Sequence, residues 1–214
     1  MKKKQKEQPL KKSWVKAPPQ YLGIFMVSCN RRYQYNRFDG LLNPHKYFKS
    51  KFMATNINKI QAFLYAEARA LDDRQFDDWI AFYHPDCPFW MPAWDDDDEL
   101  ITDPHSQISL IFYPNRAGIE DRVFRIKTER SSASMPEPRT NHNVHNVEIV
   151  EEKGDEIKLR FNWTTHSFRY KALDVYFGTS FYTLVKNDEH FLITDKKVIL
   201  KNDYIRQVID VYHI

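Results

Sequence analysis

Two short groups of histidine and cysteine are the side chains of this sequence best suited to hold a metal ion. His84 and Cys87 stand three residues apart and would supply at most half of a zinc site. His142 and His145 have the same spacing, and with a carboxylate they could form the facial triad of non-haem iron. Residues 141–150 are predicted to form a strand, however, in which positions three apart point to opposite faces. We therefore expect no metal site here unless this segment is helical.

The five successive acidic residues at positions 95–99 could belong to a calcium loop. An EF-hand loop that starts at Asp95 would need glycine at position 100 and glutamate at position 106. The chain has Leu100 and Ser106 instead, so an EF-hand is excluded. Two interpretations stay open: a solvated acidic loop, and a loop that binds basic groups of a partner protein.

The sequence lacks the common signatures of nucleotide-binding and serine-hydrolase sites. It contains no G-x-G-x-x-G, no Walker lysine motif and no G-x-S-x-G. The 15 Phe, 12 Tyr and 5 Trp, against only 5 Gly, indicate instead an aromatic-rich core or a large buried interface. For 214 residues, one domain with a sizeable core is expected.

Positive charge is concentrated in the first 52 residues. They carry 13 Lys and Arg against two acidic residues, a net +11, whereas the remainder carries 19 basic and 27 acidic residues, a net −8. Residues 1–52 show no sustained helical or strand period, so we expect a disordered or non-native basic leader. A lipoprotein signal and a tail that binds nucleic acid or membrane are alternatives. We favour translated upstream sequence, with the true start at Met53 and one domain over residues 53–214.

Cysteine usage and hydropathy favour a cytoplasmic protein. Only Cys29 and Cys87 occur, one in the leader and one in the domain, so a disulfide framework is not expected. The longest apolar run, residues 21–27, is much shorter than the roughly 20 residues of a membrane-spanning helix. We expect neither a membrane nor a nucleic acid as partner.

Apolar residues recur at helical spacing in three segments of the domain. The first segment has Thr55 or Asn56 as its N-cap. The second has Asp72 or Asp73 and ends before the next proline, and the third covers residues 116–129. The apolar positions are Ile57, Ile60, Leu64, Ala68 and Leu71 in the first, Phe76, Trp79, Ile80 and Tyr83 in the second, and Ile119, Val123 and Ile126 in the third.

The second half of the domain follows the period of a strand. Residues 157–163 alternate between apolar and polar side chains, and a turn at Gly154 joins this strand to the preceding one as a hairpin. Residues 173–186 are apolar at both parities, which predicts a strand covered on both faces. Further strands are predicted at residues 87–94 and 191–201, with a short apolar segment at 107–113. Helices followed by a sheet predict an α+β fold.

Three segments give the domain a family resemblance. They are residues 89–99 (FWMPAWDDDDE), 122–132 (RVFRIKTERSS) and 201–208 (KNDYIRQV). With them, the chain from about residue 53 to residue 214 resembles the small (beta) subunit of aromatic-ring-hydroxylating dioxygenases, in the branch that acts on benzoate, toluate and anthranilate. The resemblance implies a nuclear transport factor 2-like cone, in which N-terminal helices pack on a strongly curved mixed or antiparallel sheet.

The resemblance also implies a structural rather than a catalytic role. In such an oxygenase the large subunit carries a Rieske [2Fe–2S] cluster and a mononuclear Fe(II), and NADH supplies electrons through a separate reductase. A Rieske cluster takes two Cys and two His, and with Cys29 in the leader only Cys87 remains in the domain. We therefore expect no catalytic, cofactor-binding or metal-binding residue in this chain. It would form a trimer within an α3β3 hexamer that dihydroxylates an aromatic carboxylate during aromatic-compound catabolism.

The predicted contacts with partner subunits centre on two tryptophans. Trp90 and Trp94 lie in a rigid aromatic segment of the kind found at binding hot spots, although a core position is expected for at least one of them. Asp97, Arg130 and Arg139 are predicted to contact the partner at the rim.

Two other functional classes compete with this interpretation. Cone-like folds also serve independent isomerases and dehydratases that transfer protons in a pocket of Asp, His and Tyr, for which His166, Tyr170 and Asp174 are the candidates. A nucleic-acid-binding protein would depend on the basic leader alone, and it loses its support if translation starts at Met53.

Overall fold

The structure is a computed structural model that describes residues 55–128, 135–188 and 190–214. The predicted leader, the boundary at Met53, Cys29 and Arg130 lie outside the described residues. The described part holds three α-helices and six strands, followed by a short 3-10 helix near the C-terminus. None of the helices in these three ranges is long and apolar enough to span a bilayer.

The first helix, α1 (Ile57–Asp72), begins where the sequence predicts. The side chain of Asn56 caps it by accepting a hydrogen bond from the backbone N–H of Asn58 at 2.9 Å. Its buried residues are Ile60, Leu64, Glu67, Ala70 and Leu71. The predicted apolar face is correct at the central positions, whereas Ile57 and Ala68 are only half-buried. A glutamate unexpectedly occupies one of the core positions.

The second helix, α2 (Phe76–Ile80), is a single short turn, and its predicted cap is wrong. Asp72 is the last residue of α1 and Asp73 is the C-cap of that helix, so neither is free to begin the next one. Phe76 and Trp79 are nevertheless buried, as the spacing predicts.

The third helix, α3 (Arg116–Lys127), confirms the predicted amphipathic segment. Asn115 caps it by accepting from the backbone N–H of Ala117 at 3.0 Å. The helix buries Ile119, Val123 and Ile126.

The six strands form one sheet in the order β2-β1-β6-β5-β4-β3. Their bounds are β1 (Phe89–Pro92), β2 (Ser109–Tyr113), β3 (Arg139–Lys153), β4 (Glu156–Arg169), β5 (Ala172–Asn187) and β6 (His190–Leu200). Neighbouring strands are antiparallel except β1 and β6, which are parallel. The predicted hairpin joins β3 to β4 through Gly154, whose φ of +62° suits glycine. Register shifts after His145 and Ile149 interrupt β3, and such bulges increase the twist of a sheet.

The core lies between the helices and the inner face of the sheet. On β4 the apolar residues Ile157, Leu159, Phe161 and Trp163 are buried, while the polar residues between them are more exposed. The predicted alternation is therefore confirmed, and so is the α+β plan of helices on a mixed sheet.

The prediction that residues 173–186 are covered on both faces is wrong for the single chain. On β5, Tyr176, Tyr182 and Leu184 face the core. The apolar residues of opposite parity leave much of their surface exposed, although Thr179, which has the same parity, is only 3% exposed.

Candidate functional site

The outer face of the sheet carries a row of exposed apolar side chains on β5. Leu173 is 58% exposed, Val175 41%, Phe177 44% and Phe181 37%. We call these four residues the β5 stripe. Because β5 lies inside the sheet, between β4 and β6, the stripe crosses the middle of the outer face. Exposed apolar side chains grouped in this way typically mark a site of interaction with another protein.

Polar and aromatic side chains border the β5 stripe on the neighbouring strands. Phe168 of β4 pairs with Leu173 and is itself 43% exposed. At the other end, Phe181 pairs with Lys197 of β6. The Lys197 ammonium lies 4.3 Å from the ring centroid of Trp90, a cation–π contact.

Three of the predicted partner contacts lie on or near this outer face. Trp90 is half-buried on β1, with Nε1 donating to Ser109 Oγ at 3.0 Å. Trp94 is 40% exposed, and its Nε1 donates to the carbonyl oxygen of Leu200 at 2.7 Å. Arg139 is exposed on β3, where it pairs with Phe168 of the adjacent strand. Neither tryptophan is fully buried, so the expectation that at least one belongs to the core is wrong.

The fourth predicted contact, Asp97, lies in the acidic loop. A backbone bridge between Trp94 and Leu100 closes this loop, and Asp95 N–H donates to the carbonyl oxygen of Glu99 at 2.7 Å. All five acidic side chains, residues 95–99, are exposed. Both interpretations of the loop are compatible with this arrangement. The fifth contact, Arg130, is outside the described residues.

A buried ionic cluster, which the sequence did not reveal, joins the helices to the sheet. Glu67 of α1 is 5% exposed and Lys196 of β6 is 1% exposed, and their Oε1 and Nζ atoms are 2.9 Å apart. Tyr83 donates to Glu67 Oε1 at 2.6 Å, and Tyr182 donates to Oε2 at 3.2 Å. Trp79 Nε1 donates to the same carboxylate at 3.3 Å. The cluster therefore satisfies both charges with direct hydrogen bonds.

The pKa values in this cluster follow from burial and mutual attraction. Burial raises the pKa of Glu67. The positive charge of Lys196 and the hydrogen bonds from Tyr83, Lys196 and Trp79 lower it by a larger amount, so the pKa lies below its ordinary value. Burial, and then the negative charge of Glu67, raise the pKa of Tyr83 and of Tyr182 well above the ordinary value. Glu67 is consequently ionised and both phenols are neutral at physiological pH.

The side chains of the two candidate metal pairs differ in burial and orientation. The Cys87 thiol is buried and donates to the carbonyl oxygen of Pro88, and burial raises its pKa to about 12. His142 faces inward, with Nδ1 2.6 Å from Asp72 Oδ1, whereas His145 is exposed. The segment is a strand, so the predicted opposite orientation is confirmed. Across residues 55–128, 135–188 and 190–214, no three His, Cys, Asp or Glu side chains lie close enough together to hold a metal ion.

The candidate proton-transfer residues are not brought together either. His166 pairs with Val175 of the β5 stripe and therefore faces outward. Asp174 has the opposite parity and accepts from Arg206 Nε at 3.1 Å. Tyr170 lies in the β4–β5 turn and is 69% exposed. The three side chains share no pocket.

Comparison with known proteins shows the family to which the chain belongs. A family model described as the ring hydroxylating beta subunit matches residues 66–207, which is more than half of the chain. The chain belongs to this family. It is 59% identical over 162 residues to the toluate 1,2-dioxygenase beta subunit of Pseudomonas putida, covering 76% of the chain and 100% of that subunit. It is 58% identical to the benzoate 1,2-dioxygenase beta subunit of Acinetobacter baylyi, covering 74% of the chain and 94% of the relative.

Solved structures agree with the assignment to the beta-subunit family. The beta subunit of benzoate 1,2-dioxygenase from Burkholderia mallei is 52% identical, with a TM-score of 0.65 over 76% of this chain and all of that one. A scytalone dehydratase-like protein from Novosphingobium aromaticivorans is 15% identical, with a TM-score of 0.53 over 72% of this chain and 92% of that one. The second likeness concerns the fold alone. Together they confirm the predicted family and the cone-like α+β fold.

The segments that carried the resemblance have structural roles in this beta subunit. Arg122 of α3 forms an ion pair with Asp210, whose side chain is 2% exposed. Asn202 accepts from the backbone N–H of Phe177 at 3.0 Å and donates to the carbonyl oxygen of Val175 at 2.8 Å. These contacts fix the C-terminal segment against α3 and along β5, beside the β5 stripe.

Proposed function

We propose that this chain is the structural small subunit of a 1,2-dioxygenase that acts on benzoate or a closely related aromatic carboxylate. The observation that carries the proposal is the 57–59% identity to the small subunits of toluate, 2-halobenzoate and benzoate 1,2-dioxygenases, over 94–100% of their lengths. The anthranilate relative is only 35% identical, which favours the benzoate type. The chain would work in the cytoplasm as part of the oxygenase.

The partner in this proposal is the large subunit, which holds the iron centres. The residues described here do not fit a Rieske cluster, because the cluster takes two cysteines and two histidines on one site. The chain has only two cysteines, and Cys87 is buried with its thiol on a backbone carbonyl. The contribution of this chain is to position and stabilise the large subunit, and NADH delivers electrons through a separate reductase.

We further propose that three copies of the chain assemble with three large subunits, and that the β5 stripe is covered in that assembly. The stripe offers apolar area, while Trp90, Trp94, Asp97, Arg130 and Arg139 supply aromatic and charged contacts. Interfaces typically combine such an apolar centre with a polar rim. The exposed aromatic and charged groups on the outer face support this assignment.

Co-expression with the large subunit tests the proposal. We expect a complex of the mass of an α3β3 hexamer that contains iron and converts benzoate to a cis-dihydrodiol when supplied with reductase and NADH. The isolated small subunit should be inactive. Turnover of benzoate by the small subunit alone would contradict the proposal, and so would a large subunit that is fully assembled and active without it.

A matched pair of variants tests the role of the β5 stripe. Phe177→Asp places a charge on the stripe, and Phe124→Asp makes the same change on α3, where Phe124 is 62% exposed. Both side chains are exposed, so each variant should fold with little change in stability. Size-exclusion chromatography should show a loss of assembly for Phe177→Asp only. Equal behaviour of the two variants would show that the stripe is not an interface.

A further inference from the structure

Four aromatic rings surround the buried ammonium group of Lys196. Its Nζ atom lies close enough to each ring centroid for a cation to be attracted to the face of the ring. The distances are 4.9 Å to Phe89, 5.0 Å to Tyr182, 5.4 Å to Tyr83 and 5.6 Å to Trp79. All four aromatic residues are at most 4% exposed, so the rings enclose the ammonium group inside the core.

Two hydrogen bonds complete the surroundings of this ammonium group. Nζ donates to Glu67 Oε1 at 2.9 Å and to the hydroxyl oxygen of Tyr83 at 2.8 Å. The group therefore has a counter-ion, a second acceptor and four ring faces, which are the features that proteins use to bind ammonium ligands. We call the residues that supply these features the ammonium cage: Glu67, Trp79, Tyr83, Phe89 and Tyr182.

The ammonium cage and Lys196 come from different elements of the fold. Lys196 is on β6, whereas Glu67 is on α1, Phe89 on β1 and Tyr182 on β5. Lys196 pairs with Phe89 in the parallel register of β1 and β6, and with Tyr182 in the antiparallel register of β5 and β6. Backbone pairing of the strands thus positions these two rings. Shortening the Lys196 side chain should therefore leave the residues of the cage in place.

We propose that the ammonium cage is a binding site for a primary alkylammonium ion, and that the side chain of Lys196 is its built-in ligand. Lys196 is 1% exposed, so the lysine closes the site to other molecules. Truncation of this side chain at Cβ would leave a cavity that matches n-propylammonium, whose three carbons and nitrogen correspond to Cγ, Cδ, Cε and Nζ. The cage should then bind the free cation and regain the buried ion pair. This inference does not depend on the proposed role in a dioxygenase.

The cage selects its ligand by charge and by hydrogen bonding. A neutral molecule of the same size, propan-1-ol, would leave the carboxylate of Glu67 without a counter-ion in the core. Tetramethylammonium is attracted to the ring faces but has no N–H to donate to Glu67 and Tyr83. A sodium ion lacks the carbon chain that fills the cavity. Of these four probes, only n-propylammonium supplies the charge, the donors and the volume.

Thermal denaturation of the full chain carrying Lys196→Ala tests the proposal. The Tm of this variant is measured in n-propylammonium chloride and in equal concentrations of sodium chloride, tetramethylammonium chloride and propan-1-ol. We expect n-propylammonium to raise Tm by about 3–6 °C when its concentration is about ten times the dissociation constant. An increase no larger than that in sodium chloride would overturn the proposal. An equal increase in tetramethylammonium chloride or in propan-1-ol would also overturn it.

Two control variants distinguish binding in the cage from binding elsewhere on the protein. Lys196→Met fills the space with an apolar side chain of nearly the same length, so n-propylammonium should not raise its Tm above the value in sodium chloride. The double variant Lys196→Ala with Glu67→Gln keeps the cavity and removes the carboxylate, so the preference for n-propylammonium over propan-1-ol should disappear. A preference for n-propylammonium that persists in either variant would contradict the proposal.

If Lys196→Ala does not fold in buffer alone, the yield of folded protein on dilution from urea replaces Tm as the measurement. We expect n-propylammonium chloride to increase this yield, and equal concentrations of the other three probes to leave it unchanged. Failure of n-propylammonium to increase the yield would overturn the proposal. A crystal structure of the rescued variant should place the nitrogen of the ligand within hydrogen-bond distance of Glu67 and Tyr83, and a ligand bound anywhere else would contradict the assignment.

Discussion

The buried cluster around Glu67 and Lys196 makes a strong prediction about stability. Both side chains are at most 5% exposed, and Glu67 is also the acceptor for Tyr83, Tyr182 and Trp79. Lys196→Met removes the positive charge and leaves an ionised carboxylate in the core. Glu67→Gln does the reverse and leaves an uncompensated ammonium group.

The expected loss of stability in each single variant follows from the burial of both partners. Removal of one member of a buried ion pair typically costs about 3–5 kcal/mol, because the remaining charge keeps its desolvation penalty. In a protein of this size each kcal/mol corresponds to about 2–4 °C in Tm, so each single variant should lose roughly 6–20 °C. The double variant Glu67→Gln with Lys196→Met leaves no isolated charge and should be more stable than either single variant.

Chemical denaturation of the three variants and the unsubstituted chain, followed by circular dichroism, measures these differences. Lys196→Met has a further signature in pH. Without the lysine, burial raises the pKa of Glu67 above its unfolded value, so the folded variant takes up a proton before the unfolded chain does. The loss in free energy of unfolding, relative to the unsubstituted chain, should therefore become smaller as pH falls. A double variant no more stable than the weaker single variant would refute the reasoning. A loss in free energy of unfolding for Lys196→Met that does not change with pH would also refute it.

Three further predictions concern other parts of the fold. Burial, and then the positive charges of His142 and Arg169, lower the pKa of His213 from the ordinary 6.5 to about 3. The unfolded chain therefore binds the proton first, so stability should fall as pH drops from 6.5 toward 3. Urea midpoints across this range measure the slope, which His213→Phe should reduce. Asp210→Asn breaks the ion pair with Arg122 and should release the C-terminal segment, seen as faster hydrogen exchange there while the sheet stays protected. Gly178→Ala would place a Cβ 1.9 Å from the carbonyl oxygen of Ile199 and should prevent folding, measured as loss of soluble subunit.

The parts of the fold that the sequence predicted are those determined by local interactions. Asn56 begins α1 because its side chain reaches a backbone N–H two residues along the chain. The hairpin at Gly154 follows from a residue that tolerates positive φ between two alternating segments. Each of these features depends on a few adjacent residues, which the sequence shows directly.

The features that the sequence did not predict depend on distant residues. Glu67 and Lys196 are 129 positions apart, and each alone resembles a charged residue on a solvent-exposed face. One signal was available: Glu67 lies one turn from Leu64 and Leu71 on the apolar face of α1. His213 likewise reaches Tyr176 of β5 only through the return of the C-terminus, and His142 reaches Asp72 only through the packing of β3 on α1. Pairing over such distances is a property of the folded chain.

The failed prediction for β5 bears on the assembly. The sequence is apolar at both parities of this strand, and that pattern predicts burial on both faces. In the single chain, Leu173, Val175, Phe177 and Phe181 remain substantially exposed. A sheet that evolved to face water on one side would carry polar residues at these positions, as β3 does with Asn141 and its neighbours. The pattern therefore suits a strand whose second face is covered by another subunit, which is why a charge at Phe177 tests the proposed assembly more directly than one elsewhere on the surface.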